Sequence, residues 1–313
     1  MAISILQMTA PVLLTFFLGF IIKQKNIIRE EGIIGLKSLV SNITLPVVLF
    51  NAFLTATYSK TILVTFLTVF FACSIGLFVA FYLRRFVKPY GKYFPFLLTN
   101  FEGGMLGYAL FSLLYPTKAS EFALVDIGQT FCAFTVFLTT LKAVNGEQTS
   151  AKAIVKNMFT NVVFIAIVLG IVLGLCGLGS IIQKSDIGLI FINIIQFIAA
   201  PTSAIILIIV GYDLKFTKKI MPTVIKTIVF RLIIMVVLLI ISYFIVFTFV
   251  DYSKSLFVAL ILAYSLPAPF IIPLFMNDME KCGQEEFVST CLSLQTLVTI
   301  VLFVAIASFT LIA

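Results

Sequence analysis

Two polar segments interrupt otherwise apolar stretches of this chain, and they hold the residues best suited to bind a small molecule. The first is Asn100-Phe-Glu-Gly-Gly104 and the second is Ser265-Leu-Pro-Ala-Pro269. Glycine lowers the cost of unwinding a helix, and proline removes a backbone donor and clashes with the preceding turn. Unwound backbone leaves N–H groups free, and helix N-termini beside it attract anions. The pattern predicts a polar pocket for an anionic substrate.

The side chains of this predicted pocket suggest different roles. Asn100 and Ser265 are expected to hydrogen-bond the substrate, while the glycines and prolines open the backbone. Asn51, Gln129 and Gln295 offer uncharged donors and acceptors, although such residues also join membrane helices to one another. No catalytic or metal-binding residue is predicted. The candidate substrate-binding residues are Asn100, Glu102, Gly103, Gly104, Ser265, Pro267, Pro269, Asn51, Gln129 and Gln295.

Glu102 is unusual, because a charged group at the centre of a membrane helix costs about 2.5–3.5 kcal/mol. One interpretation makes it a coupling site for H+ or Na+, and the other makes it a protonated acid or a cap for frayed backbone. An ionised Glu102 would repel an anion, so we expect it to load as the neutral acid or together with a cation. Asp126 is expected near the outer mouth, and Arg231 is expected to extend towards the cytoplasmic interface.

Membrane-spanning helices are expected to position these residues. Hydrophobic residues make up 61% of the chain, charged residues 11%, and the mean hydropathy is +1.19, which is far from a soluble composition. Apolar stretches of about 20 residues predict ten spans, with spans 4 and 9 broken at the two polar segments. The predicted spans cover roughly residues 4–22, 33–55, 61–83, 94–115, 121–141, 157–178, 187–211, 222–250, 255–276 and 286–312.

Basic residues alternate between rich and poor loops along the chain. Such residues stay on the cytoplasmic side, so the alternation places both termini outside a cytoplasmic membrane. The net charge of +8 is then expected to face anionic lipid and not nucleic acid. The basic residues of the rich loops are Lys23, Lys25, Arg29, Lys37, Arg84, Arg85, Lys88, Lys92, Lys142, Lys152, Lys156, Lys215, Lys218, Lys219 and Lys226.

Spans 4–5 and spans 9–10 can be overlaid at an offset of 165 residues, which is the separation of Asn100 and Ser265. Earlier in each half, Pro46 in span 2 has a counterpart at Pro201 in span 7, and both are predicted to break the surrounding scaffold. Five spans per half is an odd number, so the second half enters the membrane inverted. We predict an all-α membrane domain made of two inverted five-helix repeats, residues 1–150 and 151–313, as in many secondary transporters.

Several short motifs along the chain have counterparts in a known family: Pro11–Gly19, Leu45–Phe50, Val210–Leu214, Ser265–Ala268 and Phe287–Leu294. With these motifs the chain resembles the auxin efflux carrier family, which includes plant auxin exporters and bacterial permeases for malate or malonate. The resemblance implies ten spans in two inverted repeats, with spans 4 and 9 crossing as broken helices. It also implies that spans 1, 2, 6 and 7 form the scaffold and that the other spans move.

The same resemblance implies a substrate site at the crossing of spans 4 and 9. An asparagine of span 4 is a recurring ligand in the family, and Asn100 matches that position. The chain departs from the pattern in two places. Glu102 and the glycines that follow it replace a less acidic stretch, and span 9 offers Ser265 but no asparagine.

These observations predict a secondary active transporter that moves small organic anions, such as carboxylates, across the cytoplasmic membrane by alternating access. The chain has no Gly-rich Lys-Ser/Thr loop for ATP, so its energy is expected to come from gradients. The alternative within transport is a sodium- or proton-coupled cation antiporter or symporter that uses Glu102.

Other classes are less well supported. An intramembrane enzyme needs a catalytic cluster, and the chain has no histidine and no acid pair at helical spacing within one span. Its 5 cysteines are scattered without a CxxC motif, so no cofactor is expected. A structural or receptor-like membrane protein is the remaining alternative. The sequence leaves open the substrate, its direction, the coupling ion, elevator or rocking motion, and oligomeric state, including a homodimer.

Overall fold

The computed structural model describes residues 2–56, 60–87, 90–146, 151–276 and 281–312. Lys88 and the predicted repeat boundary at residue 150 lie outside these ranges. All regular structure in the described ranges is helical. The α-helices, labelled α1 to α15 in order, are Ala2–Gln24, Glu30–Leu39, Leu45–Leu54, Lys60–Leu83, Tyr108–Leu114, Ala119–Cys132, Leu138–Val144, Ala151–Thr160, Val162–Leu175, Leu178–Lys184, Asp186–Ala199, Thr202–Tyr212, Met221–Phe249, Lys254–Ser265 and Lys281–Ile312.

Short helical turns of two other kinds connect or extend these helices. The π-helical turns are Val40–Thr44, Gly103–Gly107 and Ala133–Phe137. The 3-10 turns are Arg84–Phe86, Phe94–Leu97, Lys218–Ile220 and Ile272–Phe275.

Within the described residues, six helical stretches are long and apolar enough to cross a bilayer. A seventh is added if α9 and α10, which are bent by 78° relative to each other, form one span. These stretches are those of a multi-pass membrane protein. The six are Glu30–Leu54, Lys60–Phe86, Ala119–Val144, Asp186–Tyr212, Lys218–Phe249 and Gly283–Thr310.

Many large apolar side chains point outward from the bundle. Phe197 is 85% exposed, and Phe78 and Phe244 are also largely exposed. Soluble proteins rarely expose apolar patches on this scale, whereas lipid tails solvate them without penalty. The outer surface therefore fits a hydrocarbon environment.

The helices pack as two groups. In the first helix group, α3 packs against α9 and α11, and α1 packs against α12. In the second helix group, α4 packs against α6 and α13, and α14 packs against α6, α13 and α15. Glycines permit the close approach of α1 and α12, because a side chain on Gly19 would overlap the carbonyl of Ile208 and one on Gly211 that of Phe16.

The two prolines that were predicted to break the scaffold bend it only mildly. Pro46 lies in the first turn of α3, and the π-helical turn before it lets the N–H of Leu45 bond to the carbonyl of Val40. The chain therefore stays helical through this proline. Pro201 separates α11 from α12, yet both belong to one continuous apolar stretch.

Candidate functional site

The two predicted breaks are present in the described chain, and they meet. Helix is absent over residues 98–102, the first broken segment, and over residues 266–271, the second broken segment. The N–H of Glu102 donates to the carbonyl of Pro267 at 2.9 Å. The N–H of Phe270 donates to Glu102 Oε2 at 2.7 Å, across 168 positions of sequence. The two segments therefore form a hydrogen-bonded crossing inside the bundle.

Local sequence explains why both helices stop here. Asn100 has a φ of 54°, in the left-handed region that asparagine adopts more readily than most other residues with a side chain. Leu266 is extended, with φ −68° and ψ 157°, as expected for a residue that precedes a proline. Pro267 and Pro269 cannot donate the N–H groups that would continue α14.

Arg231 holds the crossing together from α13. Its Nη1 donates to the carbonyls of Leu97 at 3.1 Å and Thr99 at 3.5 Å. Its Nη2 donates to the carbonyls of Asn100 at 2.8 Å and Leu266 at 2.7 Å. Unwound backbone inside a membrane protein needs such partners, because no water competes there. One guanidinium thus satisfies carbonyls from both broken segments.

The expectation that Arg231 extends to the cytoplasmic interface is wrong. Arg231 is 3% exposed, and its guanidinium donates to carbonyls in the interior of the protein. The reason is that the unwound backbone at the crossing leaves several carbonyl oxygens without helical partners. These carbonyls are better hydrogen-bond acceptors for a guanidinium than the groups at the interface. A sequence signal was available, since Arg231 lies ten residues after Met221, about 15 Å along α13 and near mid-membrane depth.

Two glutamines complete the support of the crossing. Gln129 Nε2 donates to the carbonyl of Phe101 at 2.8 Å. Gln295 Oε1 accepts from the N–H of Ala268 at 2.9 Å, and its Nε2 donates to the carbonyl of Leu97 at 3.0 Å. Gln129 lies on α6 and Gln295 on α15. Both amides bond to backbone of the crossing, and Gln129 Oε1 also accepts a long 3.5 Å bond from the Thr130 hydroxyl.

A cavity of about 460 Å³ lies against the first broken segment, and we call it the crossover cavity. It is large enough for a small organic molecule. Its polar lining near the crossing comes from both broken segments and from α6. The predicted site residues that line it are Glu102, Gly103, Gly104, Gln129 and Pro269, and residues not predicted there include Lys37, Asn42, Asp126, Thr130 and Asp213.

Asp126 was expected near the outer mouth, and this prediction is wrong. It is 2% exposed and lines the crossover cavity together with Glu102. It lies two turns into α6, on the face that packs against the first broken segment. A side chain on Gly103 would overlap Asp126 Oδ1, so the glycine makes room for this carboxylate. Sequence reasoning missed the pair because Glu102 and Asp126 come from different spans.

The other five predicted site residues do not line the crossover cavity. Asn100 is fully buried in the crossing, with Oδ1 4.0 Å from the thiol of Cys132 and with Nδ2 unpaired within the described chain. The Ser265 hydroxyl donates to the carbonyl of Leu262 on its own helix at 2.7 Å. Asn51 lies on α3, away from the crossing. Pro267 and Gln295 belong to the crossing without lining the cavity.

A second cavity of about 410 Å³ adjoins the crossover cavity, and we call it the vestibule. The two share Lys37 and Asp213, whose Nζ and Oδ2 atoms form an ion pair at 2.7 Å. Lys23 also lines the vestibule, and its Nζ donates to the carbonyl of Leu214 at 2.9 Å. Burial, followed by the positive charge of Lys215, lowers the pKa of Lys23 from its ordinary value. The charged residues that line the vestibule are balanced in sign: Lys23, Lys37, Lys215, Glu30, Asp213 and Glu285.

A third cavity lies near the other ends of the helices and does not reach the crossing. It has a volume of about 470 Å³, and Lys60, Glu121 and Asp251 contribute to its lining. It has no lining residue in common with the crossover cavity. The crossover cavity therefore adjoins the vestibule but not this third cavity.

No protein-family model matches the chain, and no curated protein matches it.

Proposed function

We propose that this chain is a secondary active transporter of small organic anions, with the crossing as its substrate site. In this proposal ten spans form two inverted repeats in the cytoplasmic membrane, both termini lie outside, and the chain is a divergent member of the auxin efflux carrier family. Substrate reaches the crossing alternately from each side.

The observation that carries the proposal is the crossing itself. Two unwound segments, held by Arg231 and joined through Glu102, lie against a mainly apolar cavity with several polar side chains, in a bundle with an apolar exterior. Unwound backbone within membrane helices is tolerated where it lines a cavity or is buried in protein, and transporters place substrates at such points. A purely structural bundle has no need of this arrangement.

The packing of the helices also supports alternating access. The first helix group comprises the predicted spans 1, 2, 6 and 7, and the second contains spans 3, 5, 8, 9 and 10. This is the division between scaffold and moving part that the family resemblance implies. Gln129 and Gln295, in corresponding helices of the two halves, each contact their own broken segment, which supports the inverted repeat.

The vestibule provides lysines on a route to the crossing. Lys23, Lys37 and Lys215 line it beside an equal number of acids, and it adjoins the crossover cavity. Lysine ammonium groups bind carboxylates through charge-assisted hydrogen bonds. On this proposal the structure corresponds to a state in which the crossing is accessible from the vestibule side.

The test is uptake of radiolabelled malate, malonate and indole-3-acetate into proteoliposomes under imposed proton and sodium gradients. We expect uptake of at least one acid by the wild type and its loss in Asn100→Ala, because that change removes an amide from the crossing. Asn193→Ala makes the same change on an exposed face of α11 and serves as the matched control. Full activity of a folded Asn100→Ala protein would place the substrate elsewhere.

A second candidate is a sodium- or proton-coupled cation antiporter or symporter that uses Glu102. The position of Asp126 favours it, because ion sites often gather more than one acid and this second carboxylate lines the same cavity. Flux of a cation without any organic acid would distinguish this candidate from an organic-anion carrier.

A further inference from the structure

Three carboxylates line the crossover cavity, and Asp213 is paired with Lys37. The other two, Glu102 and Asp126, differ in the donors that surround them. Glu102 Oε2 accepts a short bond of 2.7 Å from the N–H of Phe270. A hydrogen bond of this kind favours the ionised form of a carboxyl group. Because the same residue also donates its own N–H to Pro267, Glu102 connects the two broken segments. Its carboxylate is therefore suited to a structural role as an ion.

Asp126 is buried without comparable support. Within the described chain, Oδ1 has no hydrogen-bond partner, and Oδ2 receives a long bond of 3.4 Å from the Thr130 hydroxyl. The Tyr108 hydroxyl lies close enough to interact with the carboxyl, but neither this hydroxyl nor Oδ1 has a hydrogen bond of ordinary geometry within the described chain. Burial of an ion is costly unless donors or a counter-charge compensate. The surroundings of Asp126 therefore fit the neutral acid better than the ion.

The neighbouring charges reinforce this difference. Arg231 is the cation among them, and its two terminal nitrogens already donate to four backbone carbonyls. Lys37 is paired with Asp213 where the crossover cavity adjoins the vestibule. The titratable groups that interact directly with Asp126 are Glu102, Tyr108 and Cys73, and Cys73 in turn interacts with Cys132, Arg231 and Tyr264.

We propose that Asp126 binds the coupling proton and that Glu102 remains ionised as the bridge between the broken segments. The inference rests on the proposed function. When both are ionised, Glu102 and Asp126 place two negative charges beside the crossing. Protonation of Asp126 removes one of these two charges, so an organic anion binds more readily when the proton is present. Binding of each ligand then strengthens binding of the other by the same factor. The result is symport of one proton with the anion.

The first measurement is the steady-state accumulation of radiolabelled malate, malonate and indole-3-acetate in proteoliposomes at a gradient of one pH unit. One proton per monoanion supports about tenfold accumulation, because one unit is a tenfold difference in proton activity. This final ratio depends on stoichiometry and not on rate. We expect Asp126→Asn to lose accumulation while still exchanging substrate at equal pH, and Asp126→Glu to restore it. Asp186→Asn, the same change at an exposed site, should match the wild type.

The second measurement detects the proton without transport. Infrared difference spectra of the purified protein between acid and alkaline pH should contain the C=O band of a protonated carboxyl, absent from Asp126→Asn and present in Glu102→Gln. Loss of that band in Glu102→Gln would overturn the inference, as would proton-driven accumulation by Asp126→Asn or accumulation that follows sodium. If the spectra contain the carboxyl band of Asp126 but no acid is transported, the proposed function is contradicted. The assignment of Asp126 as a proton-binding site would still hold.

Discussion

The two broken segments lie in contact, yet they differ in chemistry. The first contains the left-handed Asn100 and the carboxylate of Glu102, and it continues into a glycine-rich π-helical turn. The second contains two prolines and no ionisable side chain, and it contributes the carbonyls of Leu266 and Pro267 together with two N–H groups. Its main contribution is therefore backbone held in a fixed extended shape.

This difference shows that the two broken segments are held in place by different interactions. Arg231 contacts three carbonyls at the first break and one at the second. The first segment depends on side chains from α6, α13 and α15, whereas proline geometry shapes much of the second. Substitutions in or around the first segment should consequently have the larger effects, and four predictions test this in decreasing order of expected effect.

The largest effect is expected for Arg231→Met. The change leaves the carbonyls of Thr99, Asn100 and Leu266 without this donor, whereas the carbonyl of Leu97 keeps its bond from Gln295. Each buried unsatisfied group costs about 1–3 kcal/mol, so we expect a loss of at least about 3 kcal/mol in stability. Arg231→Lys should be intermediate, because an ammonium lacks the planar fork of the guanidinium. Thermal unfolding in detergent measures both. Equal melting of Arg231→Met and Arg85→Met, which removes an exposed arginine, would contradict the role of Arg231.

Next in size is Gly103→Ala, compared with Gly104→Ala. A methyl group at Gly103 overlaps Asp126 Oδ1, whereas one at Gly104 meets its nearest atom, on Leu45, at an ordinary 3.6 Å. Overpacking of this kind costs about 1–3 kcal/mol, and it should also displace Asp126 and abolish proton-driven uptake. Proteoliposome uptake and melting temperature should separate the two variants. Equal uptake and equal melting temperatures for both variants would mean that the first broken segment shifts to accommodate the methyl group at little cost in free energy.

A smaller difference is expected between Gln295→Leu and Gln129→Leu. Gln295 makes two hydrogen bonds to backbone, one to each of the chain regions that meet at the crossing, and Gln129 makes one to backbone and accepts a long 3.5 Å bond from the Thr130 hydroxyl. At about 0.6–1 kcal/mol per bond in a membrane protein, the losses should be about 1–2 and about 0.6–1 kcal/mol. Denaturation in detergent provides the comparison. A greater loss in Gln129→Leu would reverse the proposed order of support.

The smallest effect is expected for Pro267→Ala. The carbonyl that accepts from Glu102 remains, and the change mainly restores freedom to the unfolded chain, at a cost of less than about 1 kcal/mol. Unfolding measurements should place it close to the wild type. A loss as large as that of Arg231→Met would mean that the second segment depends on its proline as much as the first depends on the guanidinium.

Much of the site could be predicted where local rules apply. Glycine and proline chemistry located both breaks, and the depth of Asn100 and Ser265 below the nearest lysines indicated that they would meet. The individual ligands were harder to predict. Asn100 is buried in the crossing and not in the cavity lining, and the Ser265 hydroxyl is bonded to its own helix. The direction in which a side chain faces around the axis of its helix depends on the packing of the helices, which the sequence does not show.

The sequence by itself determined that the chain is helical, apolar on its outside, and interrupted at two points, because these properties follow from hydropathy and from the backbone limits of glycine and proline. Only the tertiary structure decided that Arg231 would serve the freed carbonyls and that Asp126 would join Glu102. Those partners lie on separate helices, and the choice among many polar groups depends on which of them the packed helices bring within hydrogen-bonding distance.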